Sequence, residues 1–155
     1  MRSIETQAPH TIKQGYKNIF LGGSIEMGTA ELWQEKIISE LSDLSIQFLN
    51  PRRDDWDSSW TQEITNSQFK EQVEWELNGL EIADIIVMVF DINTKSPISL
   101  LESGLFAKSG KLVILCPDGF WRKGNIDVMC EFYNIKQVKD FNELTNYIRD
   151  NVDKM

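Results

Sequence analysis

Apolar residues along the chain fall into two patterns, short continuous runs and longer stretches with three- and four-residue steps, and the two alternate. Residues 18–21 predict a strand that runs into Gly22-Gly23-Ser24-Ile25, and residues 29–44 a helix through Leu32, Trp33, Ile37, Ile38 and Leu41, capped by the Thr29 hydroxyl. Residues 46–49 predict a second strand, which Asn50-Pro51 ends because proline cannot donate to a ladder. Residues 52–66 are polar and irregular but carry Trp56 and Trp60. A loop longer than about 12 residues in a compact domain is usually functional or disordered, and the two indoles favour a lid or wall over a pocket.

Residues 67–82 predict a helix with Phe69, Val73, Leu77 and Leu80 as its stripe and Trp75 and Glu76 beside it. Residues 85–90 are apolar on both faces, as in a central strand of a parallel sheet. Asp91 and a polar turn with Ser96 and Pro97 follow. A crossover helix is then required over residues 99–108, stopped at Gly110. Residues 112–115 predict a fourth strand, 127–133 a short helix, 136–138 a fifth strand and 142–152 an amphipathic helix.

This alternation predicts an α/β domain, a doubly wound parallel sheet of five strands in the flavodoxin-like order 2-1-3-4-5. No linker or repeat interrupts it, so residues 1–155 are read as one domain with a polar N-terminal arm over residues 1–16. At this length roughly 70% of the unfolded chain's surface can be buried, and no staple is needed. The switch point lies between strands one and three. That places Gly23 and Ser24 on one lip of a crevice and residues 91–102 on the other.

A net charge of −8 argues against a nucleic-acid partner, since that binding rests on Lys and Arg neutralising phosphates. Cys116 and Cys130 show neither zinc-site nor disulfide spacing and are read as reduced core residues. No signal-like apolar run opens the chain and none reaches the roughly 18 residues of a membrane span, so a cytoplasmic location with no membrane partner is expected. His10, the one histidine, lies in the polar arm and is read as incidental.

Candidate chemistry concentrates at the strand ends. Gly22-Gly23-Ser24 lacks the GxGxxG and P-loop patterns, so it is either a tight turn or a cradle for hydroxyl or anionic groups. Among the carboxylates Glu76, Asp84, Asp91 and Glu102, the last stands out because Ser103-Gly104 adds no bulk beside it. A carboxylate nucleophile of this kind attacks carbon with oxocarbenium character and needs a second acid for the leaving group. Trp56, Trp60 and Trp121 sit in polar loops, where an indole stacks on a flat heterocycle. No metal or cofactor is implied.

The order of these pieces resembles the nucleoside 2-deoxyribosyltransferase family and its relatives that hydrolyse deoxynucleoside N-glycosidic bonds. The pieces are the Gly-Gly-Ser-Ile turn, Asn-Pro-Arg-Arg after strand two, Trp-Glu-Leu-Asn-Gly-Leu before Ala-Asp-Ile-Ile, and Leu-Glu-Ser-Gly-Leu-Phe-Ala after strand three. The resemblance implies that Glu102 is the nucleophile on the anomeric carbon and that Glu76, where the family usually has Asp, assists proton transfer to the base. On the same basis Asp91 and Ser99 are expected to hold the sugar, and Asn50, Arg52 and Trp56 to wall the base. In relatives that act on monophosphates, serines matching Ser24 and Ser96 or Ser99 hold the phosphate, but Glu26 and Met27 replace that group's basic character. A small-molecule nucleoside or nucleotide and assembly into a homo-oligomer are implied as partners. Transfer to another base, hydrolysis, a non-catalytic nucleoside sensor and an interaction protein using the Trp56 to Trp60 loop all remain open at this point.

Overall fold

The structure, a computed structural model, describes residues 2–25 and 32–154. Six parallel strands form one sheet: β1 (Ile4–Gln7), β2 (Lys17–Gly23), β3 (Ile46–Asn50), β4 (Ile85–Val89), β5 (Leu112–Leu115) and β6 (Lys136–Val138), in the order β1-β3-β2-β4-β5-β6. Helices α1 (Trp33–Glu40), α2 (Ser67–Ile82), α3 (Pro97–Phe106), α4 (Lys123–Tyr133) and α5 (Phe141–Asn151) connect or follow the strands, and a 3₁₀ turn, Val152–Lys154, follows α5.

The expected five-strand sheet is corrected to six. Part of the presumed polar arm pairs in parallel with β3, Ile4 opposite Gln47 through Gln7 opposite Asn50. With a single aliphatic residue in Ile-Glu-Thr-Gln, this edge strand carries almost no hydrophobic signal. Its place is fixed by the ladder and by Thr6 Oγ1 donating to the buried Gln47 Oε1 at 2.7 Å.

Strand side chains alternate between two cores. Ile19, Leu21, Ile85, Val87 and Val89 join Trp33, Ile37, Leu144 and Ile148 on the face covered by α1 and α5. Phe20, Ile86, Met88 and Phe90 join Trp75, Leu80, Phe106, Ile126 and the two cysteines on the face covered by α2, α3 and α4. Both cysteines are unpaired and buried, and burial pushes each thiol up to about 11, which keeps it protonated at neutral pH.

Helix α2 runs over the predicted residues, with the Asn66 side chain accepting from the Phe69 amide at its start. Its stripe is shifted, however: Trp75 and Gly79 face the core with Leu80, whereas Leu77 is 39% exposed. Gly79 explains this, since a Cβ there would sit 2.9 Å from the Phe20 ring. Helix α3 starts earlier than expected, at Pro97, whose fixed φ suits a first helical position. The Thr29 cap expected for α1 lies outside the described residues.

Candidate active site

The order β3-β2-β4 reverses the winding between β2 and β4, and at such a switch point the carboxyl ends of neighbouring strands diverge to leave a crevice. Gly23 ends β2 there, and a close approach fixes its identity. Its φ is +131°, and a Cβ would fall 2.1 Å from the Val89 carbonyl oxygen. Ser24 follows, its amide donating to that same carbonyl at 2.8 Å.

The two lips are tied by hydroxyls. Ser24 Oγ lies 2.9 Å from Thr94 Oγ1 and 2.6 Å from Ser96 Oγ, and the last two are 2.8 Å apart. The Asp91 amide donates to Ser24 Oγ at 2.8 Å and Thr94 Oγ1 donates to the Asp91 carbonyl at 2.9 Å. All three hydroxyl residues are buried. Thr94 has no sequence signal, because its partner is 70 residues away. Ser96 adopts a left-handed conformation, φ 48°, immediately before Pro97 and so aims α3. Replacing Ser24 by Ala strands the Asp91 amide and takes one partner from each of the Thr94 and Ser96 hydroxyls, which keep their bond to one another; a loss of about 1–3 kcal/mol in urea unfolding is expected.

Helix α3 turns Ser99, Glu102, Ser103 and Phe106 inward. Glu102 is only 8% exposed, an unusual position for a carboxylate. Ser103 does lie on the inward face, its hydroxyl donating to the Ser99 carbonyl at 2.7 Å, but Gly104 points outward into open space. The room expected beside Glu102 from Gly104 is therefore corrected: the inward small residues are Ser99 and Ser103. Helix α2 brings up the half-buried Glu76, whose Oε1 accepts from Gln72 Nε2 at 3.2 Å.

These carboxyls are electrostatically joined. Burial pushes Glu102 up to about 8, and the nearby charge of Glu76 adds to the rise. Burial pushes Glu76 up to about 7, with the Gln72 hydrogen bond opposing. Two desolvated carboxyls of this kind hold protons near neutrality and titrate as a pair.

The other sequence candidates are each held by their own local contacts. Asn50, at the end of β3, is buried with both side-chain groups engaged: Nδ2 donates to Glu5 at 2.8 Å and Oδ1 accepts from the Arg52 amide at 3.0 Å. Arg52 Nε donates to Gln34 Oε1 at 2.7 Å, and burial holds the guanidinium below its ordinary value. Asp91 is half-buried and accepts from the Asn93 amide at 2.8 Å. Trp56 is half-buried and packs edge-on against Trp60 at 5.0 Å. Arg53 lies over Trp60 and bridges Asp55 and Glu71, which anchors the expected wall, residues 52–66, on α2. Trp121 is exposed, and its indole donates to the Lys95 carbonyl at 2.8 Å, bracing the turn before α3.

Asp84 sits at the opposite end of β4, accepting from the Asn18 amide at 2.7 Å. His10 is exposed and contributes its carbonyl to the Trp75 indole. Two surface hollows, one along β1 with Glu5, Gln7 and Lys13 and one outside α2 with Lys70, Glu74 and Asn78, carry neither carboxyl of the pair. Among the described residues no group of three or more His, Cys, Asp or Glu could hold a metal ion, and no helix is long and apolar enough to cross a membrane.

A family profile described as "Nucleoside 2-deoxyribosyltransferase like" matches residues 16–120, about two thirds of the chain, from β2 through the loop after β5. The chain belongs to the nucleoside 2-deoxyribosyltransferase-like family. No curated protein matches it significantly. The span matched by the family includes the β2 turn, the wall, Glu76 and Glu102, and leaves out β1, α4, β6 and α5.

Proposed function

We propose that the protein cleaves the N-glycosidic bond of a 2′-deoxynucleoside and passes the deoxyribosyl group to another base. What supports this reading is the pair of carboxyls, Glu102 on α3 and Glu76 on α2, near enough for the charge of one to raise the other, in a nucleoside 2-deoxyribosyltransferase-like domain. Glu102 attacks C1′ as the C1′–N bond breaks, and the bond electrons leave with the base. Glu76 gives its proton to the base. In the second half an acceptor base attacks C1′, its proton passes to Glu76, and Glu102 is released as carboxylate. The sugar is held by Asp91 and Ser99, and Arg52 and Trp56 wall the base.

A nucleoside suits this site better than its monophosphate, because the Ser24 and Ser96 hydroxyls are committed to one another. Incubation with a deoxynucleoside and a second free base, followed by chromatography, tests the reading. A new deoxynucleoside is expected; free base alone means water is the acceptor, and neither product contradicts the proposal.

The reactive form has one proton on the pair, on Glu76 with Glu102 ionised, and it is the less populated of the two one-proton forms because burial pushes Glu102 higher than Glu76. Below both values the nucleophile is protonated, and above both the acid is lost, so kcat/KM should follow a bell with limbs near about 7 and about 8. Glu76→Gln leaves no proton to lose at that position, so the variant should be slower and should lack the basic limb. Steady-state rates between pH 5 and 10 check both statements; a basic limb kept by the variant contradicts Glu76 as the acid.

A further inference from the structure

One buried polar atom close to the carboxyl pair is left over by the mechanism. Gln72 is 6% exposed, and its amide orientation is fixed by chemistry: Nε2 donates to the Pro51 carbonyl at 2.9 Å, a group that only accepts, and also to Glu76 Oε1. Neither bond uses the oxygen of that amide, and among the described residues Gln72 Oε1 has no hydrogen-bond partner. A bare carbonyl oxygen buried without a donor is costly, and such atoms in native proteins call for a specific explanation.

Gln34 repeats the arrangement in the opposite sense. It is fully buried, its Oε1 accepts from Arg52 Nε, which only donates, and its Nε2 is left without a partner among the described residues. The two glutamines grip the turn Asn50-Pro51-Arg52 from α2 and from α1. Trp56 Nε1, in the wall that follows this turn, is a third buried and unpartnered polar atom. These three atoms are the unpartnered buried side-chain nitrogens and oxygens of the described residues, and all three belong to residues around one turn.

Resting on the reading of Glu76 as the acid, we infer that Gln72 Oε1 selects the base, accepting a hydrogen bond from the atom next to the one that Glu76 protonates. Gln72 lies one helical turn before Glu76 on the same face and is bonded to it, so the two side chains meet neighbouring atoms of a bound heterocycle. The edge they fit is an acceptor followed by a donor. In a purine protonated at N7 the neighbour is the 6-substituent, an N–H donor in a 6-aminopurine and an acceptor in a 6-oxopurine. In a pyrimidine protonated at O2 the neighbour is position 3, a donor in thymine and an acceptor in cytosine. The site therefore prefers deoxyadenosine to deoxyinosine and thymidine to deoxycytidine.

The test compares kcat/KM for deoxyadenosine and deoxyinosine in the wild type and in Gln72→Met, which keeps the bulk and removes the acceptor. A ratio of about 10 to 100 in favour of the amino base is expected in the wild type, the cost of setting a buried acceptor against another acceptor. In the variant this discrimination should disappear. The ratio is taken within one protein sample, so partial unfolding of the variant cancels. Equal rates in the wild type, or an unchanged ratio in Gln72→Met, overturn the inference while leaving the proposed activity standing. Binding of adenine and hypoxanthine, followed by tryptophan fluorescence, separates the other case: adenine preference lost in Gln72→Met without any turnover supports base selection and contradicts the proposed activity. No preference in binding and no turnover overturns both.

Discussion

Glu102→Gln is expected to lower base release by roughly 10³- to 10⁶-fold, the scale on which covalent catalysts lose rate when their nucleophile is removed, and at the same time to stabilise the fold above neutral pH. Both effects come from the burial of Glu102. The carboxyl is held in a place where its charged form is disfavoured, pushed up to about 8 from the usual carboxylate range. Its folded-state value thus lies above its unfolded one, so the folded state binds the extra proton. The corresponding stability is fully present below the unfolded value and is lost as pH rises through about 8. Gln carries no charge at any pH and keeps that stability. Thermal melts of the two proteins should nearly coincide at pH 5, and the variant should melt higher by a few degrees at pH 8.5. A variant less stable than the wild type at pH 8.5 would show that Glu102 serves the fold.

Gly23→Ala is expected to produce the largest loss of stability among single substitutions in the crevice, about 4 kcal/mol or more, enough to unfold a marginal domain. The added Cβ meets three backbone atoms of Val89, the carbonyl oxygen at 2.1 Å, the amide nitrogen at 2.6 Å and the carbonyl carbon at 2.8 Å. None of these can swing aside as a side-chain tip would. The left-handed φ adds strain for any L side chain. Relief requires parting β2 from β4, the pair at the middle of the sheet, where five residue pairs are in register from Ile19 opposite Ile85 to Gly23 opposite Val89. Circular dichroism during urea titration measures the loss; a midpoint within error of the wild type would contradict this packing.

The central strands and most helices were legible because their residues satisfy local rules. Ile85 to Val89 is apolar on both faces and is covered on both, and Ser67–Ile82 carries a helical stripe with a polar cap. The edge strand β1 was not legible, since Ile-Glu-Thr-Gln buries little and is held by backbone pairing with β3, a partner 43 residues on. Position near the switch point followed from strand order: Ser24 and Asp91 follow the ends of β2 and β4, and Glu102 lies on the helix after β4. The closed hydroxyl triangle was missed at Thr94, whose role depends on a turn geometry that spacing does not encode. Gln72 and Gln34 were missed for a related reason. A glutamine on a helix is normally a surface residue, and only the turn after β3 brings it indoors. The one local hint was the four-residue step from Gln72 to Glu76, which places both on one helix face.

The most direct test of the central claim, that Glu102 forms a covalent bond to the sugar, is peptide mapping by mass spectrometry after incubation with a 2′-fluoro-arabino deoxynucleoside analogue, which slows release of the glycosyl-enzyme. The expected result is one added 2-fluoro-2-deoxyarabinosyl group on the peptide that contains Glu102, absent in Glu102→Gln. Release of the base with no adduct on the protein, or an adduct carried by another residue, would contradict it.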